Sequence, residues 1–553
     1  MVAGLWFCST TRERTLYVGG PILTMEDGVR QVSALAVDGE RIAGVGDEAQ
    51  WRKWAASNKA RIVDLEGRAL LPGFIDAHGH FPGTGLEVLA ADLQSPPVGD
   101  LRSLDELVER LRQRAGSDSG DDWVAGFGYD DTLLAEKRHP TRHDLDRVST
   151  ERPVIVVHVS GHLASTNGAG LARLGIDRDT PDPEGGRIRR DPATGEPDGV
   201  LEETAMEAVM AEIYTPSPLE AVRMIRRAVE LTLASGTTTV QAGFADALQV
   251  RSLPWMSRLG LIPLRLVIWP NAEASDALLA GELDPPDADS EWVSVGATKL
   301  VADGSIQGYT GYLSEPYTVP PGDDPGFRGY PRIAREELFA KVARYHDAGR
   351  QLAIHGNGDA SIEDILDAIE AAQAKTPRAD PRSVLIHAQM ARPDQLERMR
   401  SLGIIPSFFS LHTYYWGDRH RDVFLGPERA ARISPAATAA RLGLRFTLHC
   451  DAPVVPHEPL RLVWAAVNRR TAGGDLLGPE QRIDAWRALQ AVTIDAARQH
   501  FQDSLSGSLA PGKWADLVIL DRSPLDDPAH IDEIRVLETI VAGETRWKAD
   551  DAE

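Results

Sequence analysis

Eight short apolar segments, separated by much longer stretches with helical periodicity, constrain the fold of this chain more than any other sequence feature. Strand-like runs that alternate with helical stretches are typical of a parallel sheet covered by helices. Eight is also the number of strands that closes such a sheet into a barrel. The segments are Gly73–Asp76, Val154–Val157, Thr238–Val240, Ala297–Val301, Leu352–Ile354, Val384–Ile386, Ile404–Phe408 and Phe446–Leu448.

Periodicity alone leaves open whether this sheet is a closed barrel or an open doubly wound sheet. The positions of the polar residues favour the barrel. A His, Lys or Asp lies within or just after most of the apolar segments, as at Asp76, Lys299 and His387. Reactive side chains at the carboxyl ends of several strands are typical of the catalytic face of a (β/α)8 barrel. We therefore predict an α/β fold of the TIM-like (β/α)8 barrel class.

Both ends of the chain have a different pattern, in which short β-branched runs alternate with turns. We expect residues 1–72 and 505–553 to form together one smaller, discontinuous β-sandwich domain. The barrel then occupies residues 73–504. The segments near residues 92–149 and 169–235 are longer than a simple crossover, so we expect insertions above the barrel mouth.

Composition excludes several classes of partner. The 59 Lys and Arg residues against 82 Asp and Glu residues give a net charge of -23, which argues against nucleic acid and anionic membranes as partners. No apolar run approaches the roughly 20 residues that cross a bilayer. The apolar opening Met1–Cys8 lacks a basic segment before it, so we read no signal peptide. With only Cys8 and Cys450, the chain fits a reducing cytoplasm.

Two histidines one residue apart, His78 and His80, end the first apolar segment. In an extended chain, residues i and i+2 face the same side, so both imidazoles can reach one metal ion. The preceding Pro-Gly-Phe-Ile-Asp context favours a metal site over two unrelated histidines.

Later segments end on residues of the same kind. His355 and His387 each follow an apolar run directly, and Asp451 lies just after the last run. Neutral imidazole is a common ligand of zinc and related divalent ions. A carboxylate in this place can bind metal and take a proton from an attacking water.

With these motifs in place, the sequence resembles the amidohydrolase superfamily, and within it the YtcJ-like branch of amidohydrolase family 3 that includes N-substituted formamide deformylases. The resemblance spans nearly the whole chain. It departs from the branch after His355, where Gly-Asn-Gly-Asp-Ala replaces the usual Ala-Ile-Gly-Asp-Arg, and such changes fall near the substrate. The segments that carry it are Pro153–Asn167, Gly185–Glu202, Lys299–Ser305, His355–Asp359, Asp451–Pro459 and Gly507–Leu520, together with the His78 and His80 motif.

The resemblance implies one or two divalent metal ions per chain, with zinc as the expected element. It implies that Lys299 is N-carboxylated and bridges two ions; the alternative is a lysine paired with Asp303 beside a single ion. Asp451 would also be the catalytic proton carrier, and His162 would donate a hydrogen bond to the substrate. Relatives are often homodimers. The implied metal ligands are His78, His80, Lys299, His355, His387 and Asp451.

The expected reaction is hydrolysis of a carbon–nitrogen bond in a small molecule: an amide, an N-formyl or N-acyl amine, a carbamate or a cyclic amide. Aromatic residues in the loops after Lys299 and after Phe408 are compatible with an aromatic or apolar substrate. One alternative is a mononuclear-metal deaminase of a cyclic amidine or nucleobase, although Gly356-Asn357-Gly358 replaces the His-x-x-Glu segment usual there. A non-catalytic metal-binding barrel is the other.

Overall fold

The computed structural model describes residues 13–117, 123–207, 209, 217–286 and 289–550. The opening segment Met1–Cys8 lies outside the described residues. The described chain is an α/β fold with four sheets. None of its described helices is both long and apolar enough to cross a membrane.

The molecule contains two parallel sheets, and in each of them the strands lie side by side in the order in which they occur in the chain. Backbone hydrogen bonds from His80 N to Ala452 O (2.8 Å) and from Asp451 N to His78 O (3.2 Å) join the segments after the first and last strands. The four-stranded sheet contains Phe74–Ile75, Thr237–Ala245, Arg265–Pro270 and Val293–Val295. The five-stranded sheet contains Thr298–Val301, Leu352–Gly356, Val384–His387, Ile405–Phe408 and Thr447–Leu448.

The prediction that Val154–Val157 belongs to this parallel series was wrong. Val154–His158 is a strand, but it belongs to another sheet, where it pairs parallel with Val124–Tyr129 and antiparallel with Leu163–Thr166. The vacant place in the series is taken by Arg265–Pro270, which pairs parallel with Thr237–Ala245. Both segments are short apolar runs, and periodicity alone does not reveal which sheet such a run joins.

Helices cover the parallel sheets. Pro218–Ala234 shows why: Ser217 and Glu220 form a capping box at its start, and Met224, Ile225, Ala228 and Val229 lie on its buried face. The α-helices are Glu48–Asn58, Leu104–Ser117, Arg142–Asp146, Gly168–Leu174, Pro218–Ala234, Ala247–Arg258, Ala272–Ala280, Arg335–Asp347, Asp359–Lys375, Pro393–Leu402, Leu411–Tyr415, Gly417–Arg419, Gly426–Ala430, Ala436–Arg441, Pro459–Asn468, Ala485–Ala491 and Ile494–Gln499. Shorter 3-10 turns are Gly83–Val88, Thr204–Met206, Pro479–Gln481 and Pro528–Glu533, and His420–Phe424 is a π-helical turn.

A six-stranded sheet lies between the first two strands of the parallel series along the chain. His162 lies in the turn after the strand Val154–His158. At the end of the strand Pro197–Glu203, the backbone N–H of Glu203 donates to the carbonyl oxygen of His162 at 2.8 Å. The sheet therefore holds residues 162 and 203 side by side. Its strands are Ala91–Asp92, Val124–Tyr129, Val154–His158, Leu163–Thr166, Gly186–Arg190 and Pro197–Glu203.

An eight-stranded sheet joins both ends of the chain, because Ala69–Pro72 pairs antiparallel with Leu517–Leu520. The pairing of its first strand shifts between Val18 and Ile22. A buried ion pair from Arg265 to Asp516, 2.6 Å long, ties this sheet to the parallel series. Its strands are Arg14–Leu23, Gln31–Asp38, Arg41–Gly46, Arg61–Asp64, Ala69–Pro72, Leu517–Leu520, Val536–Val541 and Glu544–Lys548.

Candidate metal centre

The parallel strands bring all six predicted metal ligands to one edge of the central sheets. Each ligand lies in the last residues of a strand or just after it, and the carboxyl ends of parallel strands share an edge. All except His80 are more than nine-tenths buried. They are His78 and His80 after Phe74–Ile75, Lys299, His355 and His387 within their strands, and Asp451 after Thr447–Leu448.

Asp451 is the point on which the imidazoles converge. Its Oδ1 lies 3.3 Å from Nε2 of His78 and 3.2 Å from Nε2 of His80, and its Oδ2 lies 4.0 Å from Nε2 of His387. Four ligands held about 2.0 Å from a tetrahedral ion lie roughly 3.3 Å from one another. The spacing of these atoms thus matches what a zinc-like ion requires.

The tautomers of His78 and His80 are set by their outer contacts. Gln241 Oε1 accepts from Gly79 N at 3.0 Å, so it is an acceptor for His78 Nδ1 at 3.1 Å as well. His80 Nδ1 lies 3.0 Å from the carbonyl oxygen of Gly243. Both Nδ1 atoms therefore carry the hydrogen, and both Nε2 lone pairs point toward Asp451. Metal-ligating histidines are oriented by outer hydrogen bonds of this kind.

His355, His387 and His449 form a chain of imidazoles beside this group. His355 Nε2 lies 3.2 Å from the carbonyl oxygen of Gly304, which leaves Nδ1 facing His387 Nε2 at 3.1 Å. His387 Nδ1 in turn lies 3.1 Å from His449 Nε2, and His449 Nδ1 lies 2.9 Å from Ser407 Oγ. His449 thus contacts Nδ1 of His387, the nitrogen on the far side of the ring from His355, and this contact orients the His387 ring.

Burial keeps the imidazoles neutral and makes Lys299 unusual. Burial lowers the pKa of His78, His355 and His387 well below the ordinary value, with Lys299 adding to the effect. Burial also lowers the pKa of Lys299 to about 7, although Asp451 opposes the shift. Lys299 Nζ donates to His78 Nε2 at 3.0 Å.

The alternative in which Lys299 pairs with Asp303 is contradicted by the geometry. Among the described residues, no carboxylate lies within ion-pair distance of Lys299 Nζ. Asp303 instead accepts backbone hydrogen bonds from Tyr312, Asn357 and Gly358 at 2.9, 3.0 and 2.9 Å. Its carboxylate holds the loops after two strands together.

His162 lies beside the cluster and has a carboxylate behind it. Its ring centre is 5.0 Å from that of His355, and its Nδ1 lies 2.9 Å from Glu203 Oε2. Burial alone would raise the pKa of Glu203, but His162 and Arg332 outweigh it and lower that pKa below its ordinary value. The ionised carboxylate therefore accepts the Nδ1 hydrogen of His162.

These side chains fit a divalent cation. Neutral imidazole lone pairs and a carboxylate oxygen face each other, and Asp451 Oδ1 has no hydrogen-bond donor. Lone pairs and an anion repel one another in a buried site unless a cation lies between them. Nitrogen and oxygen ligands of this kind are those that zinc binds.

Sequence reasoning missed several residues that shape the site. Trp269 stacks on His78 with ring centres 5.8 Å apart, and it lies on Arg265–Pro270, the strand that the pattern did not identify. Gly243 approaches so closely that a Cβ there would lie 2.7 Å from His78 Cε1. Glu203 comes directly after the Gly185–Glu202 segment that carries the family resemblance, and this position in the sequence was the one indication that Glu203 could belong to the site.

The loop aromatics divide into two groups. Tyr317 and Tyr330 serve loop packing, because their hydroxyls donate to Gly311 O and to Glu202. Phe409 lies at the site: its ring centre is 6.3 Å from that of His387 and 4.2 Å from that of His412. Phe409 is itself buried in the hydrophobic core, so it packs against these two rings.

The fold and this edge together define a class of protein: an α/β enzyme whose reactive groups lie at the carboxyl ends of parallel strands. The amidohydrolase family model matches residues 61–546. The chain therefore belongs to the amidohydrolase family, and it is an enzyme that hydrolyses carbon–nitrogen bonds.

Individual relatives cover nearly the full length. The chain is 30% identical to the N-substituted formamide deformylase of Arthrobacter pascens, over 93% of this chain and 95% of that protein. It is 28% identical to the putative amidohydrolase YtcJ of Bacillus subtilis, over 96% and 99%. An uncharacterized metal-dependent hydrolase from Pyrococcus horikoshii superposes with a TM-score of 0.75 at 27% identity, covering 94% of this chain and 99% of that one.

Proposed function

We propose that this chain is a metal-dependent hydrolase that cleaves the carbon–nitrogen bond of an amide, with N-substituted formamides as the first substrate class. The observation that carries the proposal is the convergence of His78 and His80 Nε2 on Asp451 Oδ1 at 3.3 and 3.2 Å, while the Nδ1 atoms of both rings face acceptors on the outer side. The name of the Arthrobacter relative supports formamides. N-acyl amines, carbamates and cyclic amides contain the same kind of bond.

The ligands of the ion would be the six residues gathered at the strand ends. A bound divalent ion of the zinc type, one or two per chain, would act as a Lewis acid that activates water and polarises the substrate carbonyl. Gln241 and the carbonyl of Gly243 would hold the inner imidazoles in register. The ligand set is His78, His80, Lys299, His355, His387 and Asp451.

Two residues of the chain would handle protons and charge. Asp451, the carboxylate at the centre of the cluster, would accept a proton from the attacking water and deliver it to the leaving nitrogen. His162 would donate a hydrogen bond from Nε2 to the substrate oxygen as negative charge develops there. Water is consumed, and the products of a formamide are formate and the free amine. The substrate would carry an aromatic or apolar group.

Lys299 would be N-carboxylated in the working enzyme. A protonated Lys299 would repel a metal ion bound by the neighbouring ligands. Its only hydrogen-bond partner among the described residues is His78. Addition of carbon dioxide to Nζ would convert it into an anionic ligand that can bridge two ions.

The proposal includes the architecture around the site. The two parallel sheets would be the halves of one closed (β/α)8 barrel over residues 73–504. Val293–Val295 and Thr298–Val301 would be one interrupted strand that pairs with both sheets, which reduces their nine strands to eight. Backbone hydrogen bonds of His80 and Asp451 join the sheets at the opposite seam. Residues 1–72 and 505–553 would form the smaller sandwich domain, with the segments near 92–149 and 169–235 as insertions.

Location and assembly complete the proposal. We place the enzyme in the cytoplasm, since Cys450 is a buried, unpaired thiol. The resemblance implies a homodimer, and light scattering during size-exclusion chromatography tests it directly.

The test is a substrate panel on purified, metal-analysed protein. We expect one or two zinc-like ions per chain and release of formate from N-benzylformamide and related N-substituted formamides. Labelled ¹³C-bicarbonate should give a carbamate signal that Lys299→Gln lacks. Ammonia release from cyclic amidines without any amide turnover would overturn the proposal in favour of a deaminase. Protein without bound metal that hydrolyses none of the panel would refute the proposal altogether.

A further inference from the structure

Glu203 is a buried carboxylate that contacts His162, beside the candidate metal centre, from the six-stranded sheet. It ends the strand Pro197–Glu203 of the six-stranded sheet, and its side chain is fully buried. Its Oε2 lies 2.9 Å from His162 Nδ1 and 3.4 Å from Arg332 Nη1. The carboxylate thus connects a ring beside the site to a cation on a neighbouring loop.

The backbone at Glu203 is in an unfavourable conformation. Its φ of 51° and ψ of -121° lie outside the regions that a residue with a side chain normally adopts. Gly304 packs against the Glu203 carboxylate, and any larger residue at 304 would clash with it, because a Cβ there would lie 2.0 Å from Glu203 Oε1. Burial of a charge and backbone strain both oppose folding, so the local structure does not account for this residue through stability alone.

The other nitrogen of His162 is free. Within the part of the chain that the structure describes, His162 Nε2 makes no hydrogen bond, and the side chain keeps 12% of its exposure. Its ring lies edge to face with that of His355, with centres 5.0 Å apart. With Nδ1 held by Glu203, Nε2 is the atom left to meet a ligand at the site.

We propose that Glu203 is a positioning residue that acts through His162. Its carboxylate holds the Nδ1 hydrogen, which fixes the orientation of the ring and stabilises the ring when Nε2 also carries a hydrogen and donates it to the substrate oxygen. No bond is made or broken at Glu203 itself. The inference deepens the proposed function and rests on it for its kinetic consequence, whereas the hydrogen bond itself can be measured without turnover.

The kinetic test is a double-mutant cycle on the metal-loaded enzyme with the best formamide. Glu203→Gln should lower kcat about 10- to 100-fold, as loss of a supporting hydrogen bond does, with little change in KM. His162→Gln should lower kcat by roughly 10²- to 10³-fold. In the His162→Gln background, Glu203→Gln should cause little further loss, because its effect passes through the missing ring.

The matched control is Glu207→Gln. Glu207 pairs with the same Arg332 but is exposed and does not touch His162, so this variant should keep wild-type kcat. Glu203→Asp, which retains the charge, should recover part of the loss. Full additivity of the two substitutions in the cycle would overturn the inference, since it would show that Glu203 acts on general structure.

The second readout is the nitrogen spectrum of histidine-labelled protein. His162, assigned by its absence from His162→Gln, should show a protonated Nδ1 in the wild type and a shift toward the other tautomer in Glu203→Ala. Identical His162 signals in both proteins would overturn the inference even if formamides are hydrolysed. A tautomer shift in a protein that cleaves no amide would instead support the contact and contradict the proposed function.

Discussion

Two regions of the described chain bring imidazole and carboxylate groups close enough together to hold one ion, and they differ in what lies between the rings and the acids. The first is centred on Asp451, which forms one such group with His78 and His80 and another with His387 and His449. The second is His158 with Asp130 and Asp131, at and just after the ends of two strands of the six-stranded sheet. Composition and spacing are similar, so the difference between them has to come from their hydrogen bonds.

In the second cluster, donors of the protein itself neutralise or hydrogen-bond the carboxylates. Ser160 N donates to His158 Nδ1 at 3.2 Å, so His158 carries its hydrogen on Nε2, which faces Asp131 Oδ1 at 3.3 Å. Asp130 is held by the guanidinium of Arg419 at 2.7 Å and by Trp416 Nε1 at 3.1 Å. The buried charge of Asp130 is thus satisfied by donors of the protein itself, and Asp131 lies beside the imidazole of His158.

The candidate metal centre is the reverse, since its outer contacts place the hydrogens outside and the lone pairs inside. Residue type therefore does not distinguish a metal site from a structural ion network. What distinguishes them is which nitrogen of each imidazole is protonated, and that depends on a backbone or amide partner on the far side of the ring.

The largest effect should come from removing one ring from each cluster. We expect His78→Ala to lose its bound metal and to lose turnover by roughly 10³-fold or more, equivalent to about 4 kcal/mol of barrier. His158→Ala should keep the metal content of the wild type. Elemental analysis and formate release on both folded variants measure this. If His158→Ala lost an equivalent of metal, the distinction drawn between the clusters would be wrong.

A smaller effect, on the free energy of unfolding, is expected when a residue of the second cluster, Asp130, is replaced. Asp130→Asn leaves Arg419 without its buried carboxylate, so the free energy of unfolding should drop by about 3 kcal/mol while metal content stays the same. Denaturant unfolding measures the change. The control, Asp38→Asn, breaks an exposed pair with Arg14 and should cost under about 1 kcal/mol. Equal losses in the two variants would mean that Asp130 contributes no more than a surface charge.

The smallest effect is a dependence on pH. Burial alone would raise the pKa of Asp130, but Arg419 and His158 outweigh it and hold that pKa below 3.8, its unfolded value. The stabilising contribution of Asp130 is therefore present above pH 3.8 and is lost as the pH falls below it. Between pH 4 and pH 3 the wild type should lose up to about 0.9 kcal/mol more than Asp130→Asn. Parallel acid-unfolding curves would contradict this.

Much of the site was predictable because its residues are local to strand ends. His78, His80, His355, His387 and Asp451 each follow an apolar run, Lys299 lies within one, and the parallel arrangement brings these positions to one edge. Trp269 and Glu203 were not predictable in the same way. Trp269 lies on a strand that periodicity missed, and Glu203 reaches the site through antiparallel pairing in an inserted sheet, which leaves no periodic mark in the sequence.

The α/β class, the family and the residues available to the site follow from the amino-acid sequence, because hydrophobic periodicity and motifs contiguous in the chain indicate them. Three features are visible only in the folded chain: Val154–His158 joins another sheet, Lys299 faces His78 and not Asp303, and Glu203 contacts the outer nitrogen of His162. Each of these depends on contacts between segments distant in the chain. A short apolar run or a strand-end lysine has several such partners open to it, and packing selects one.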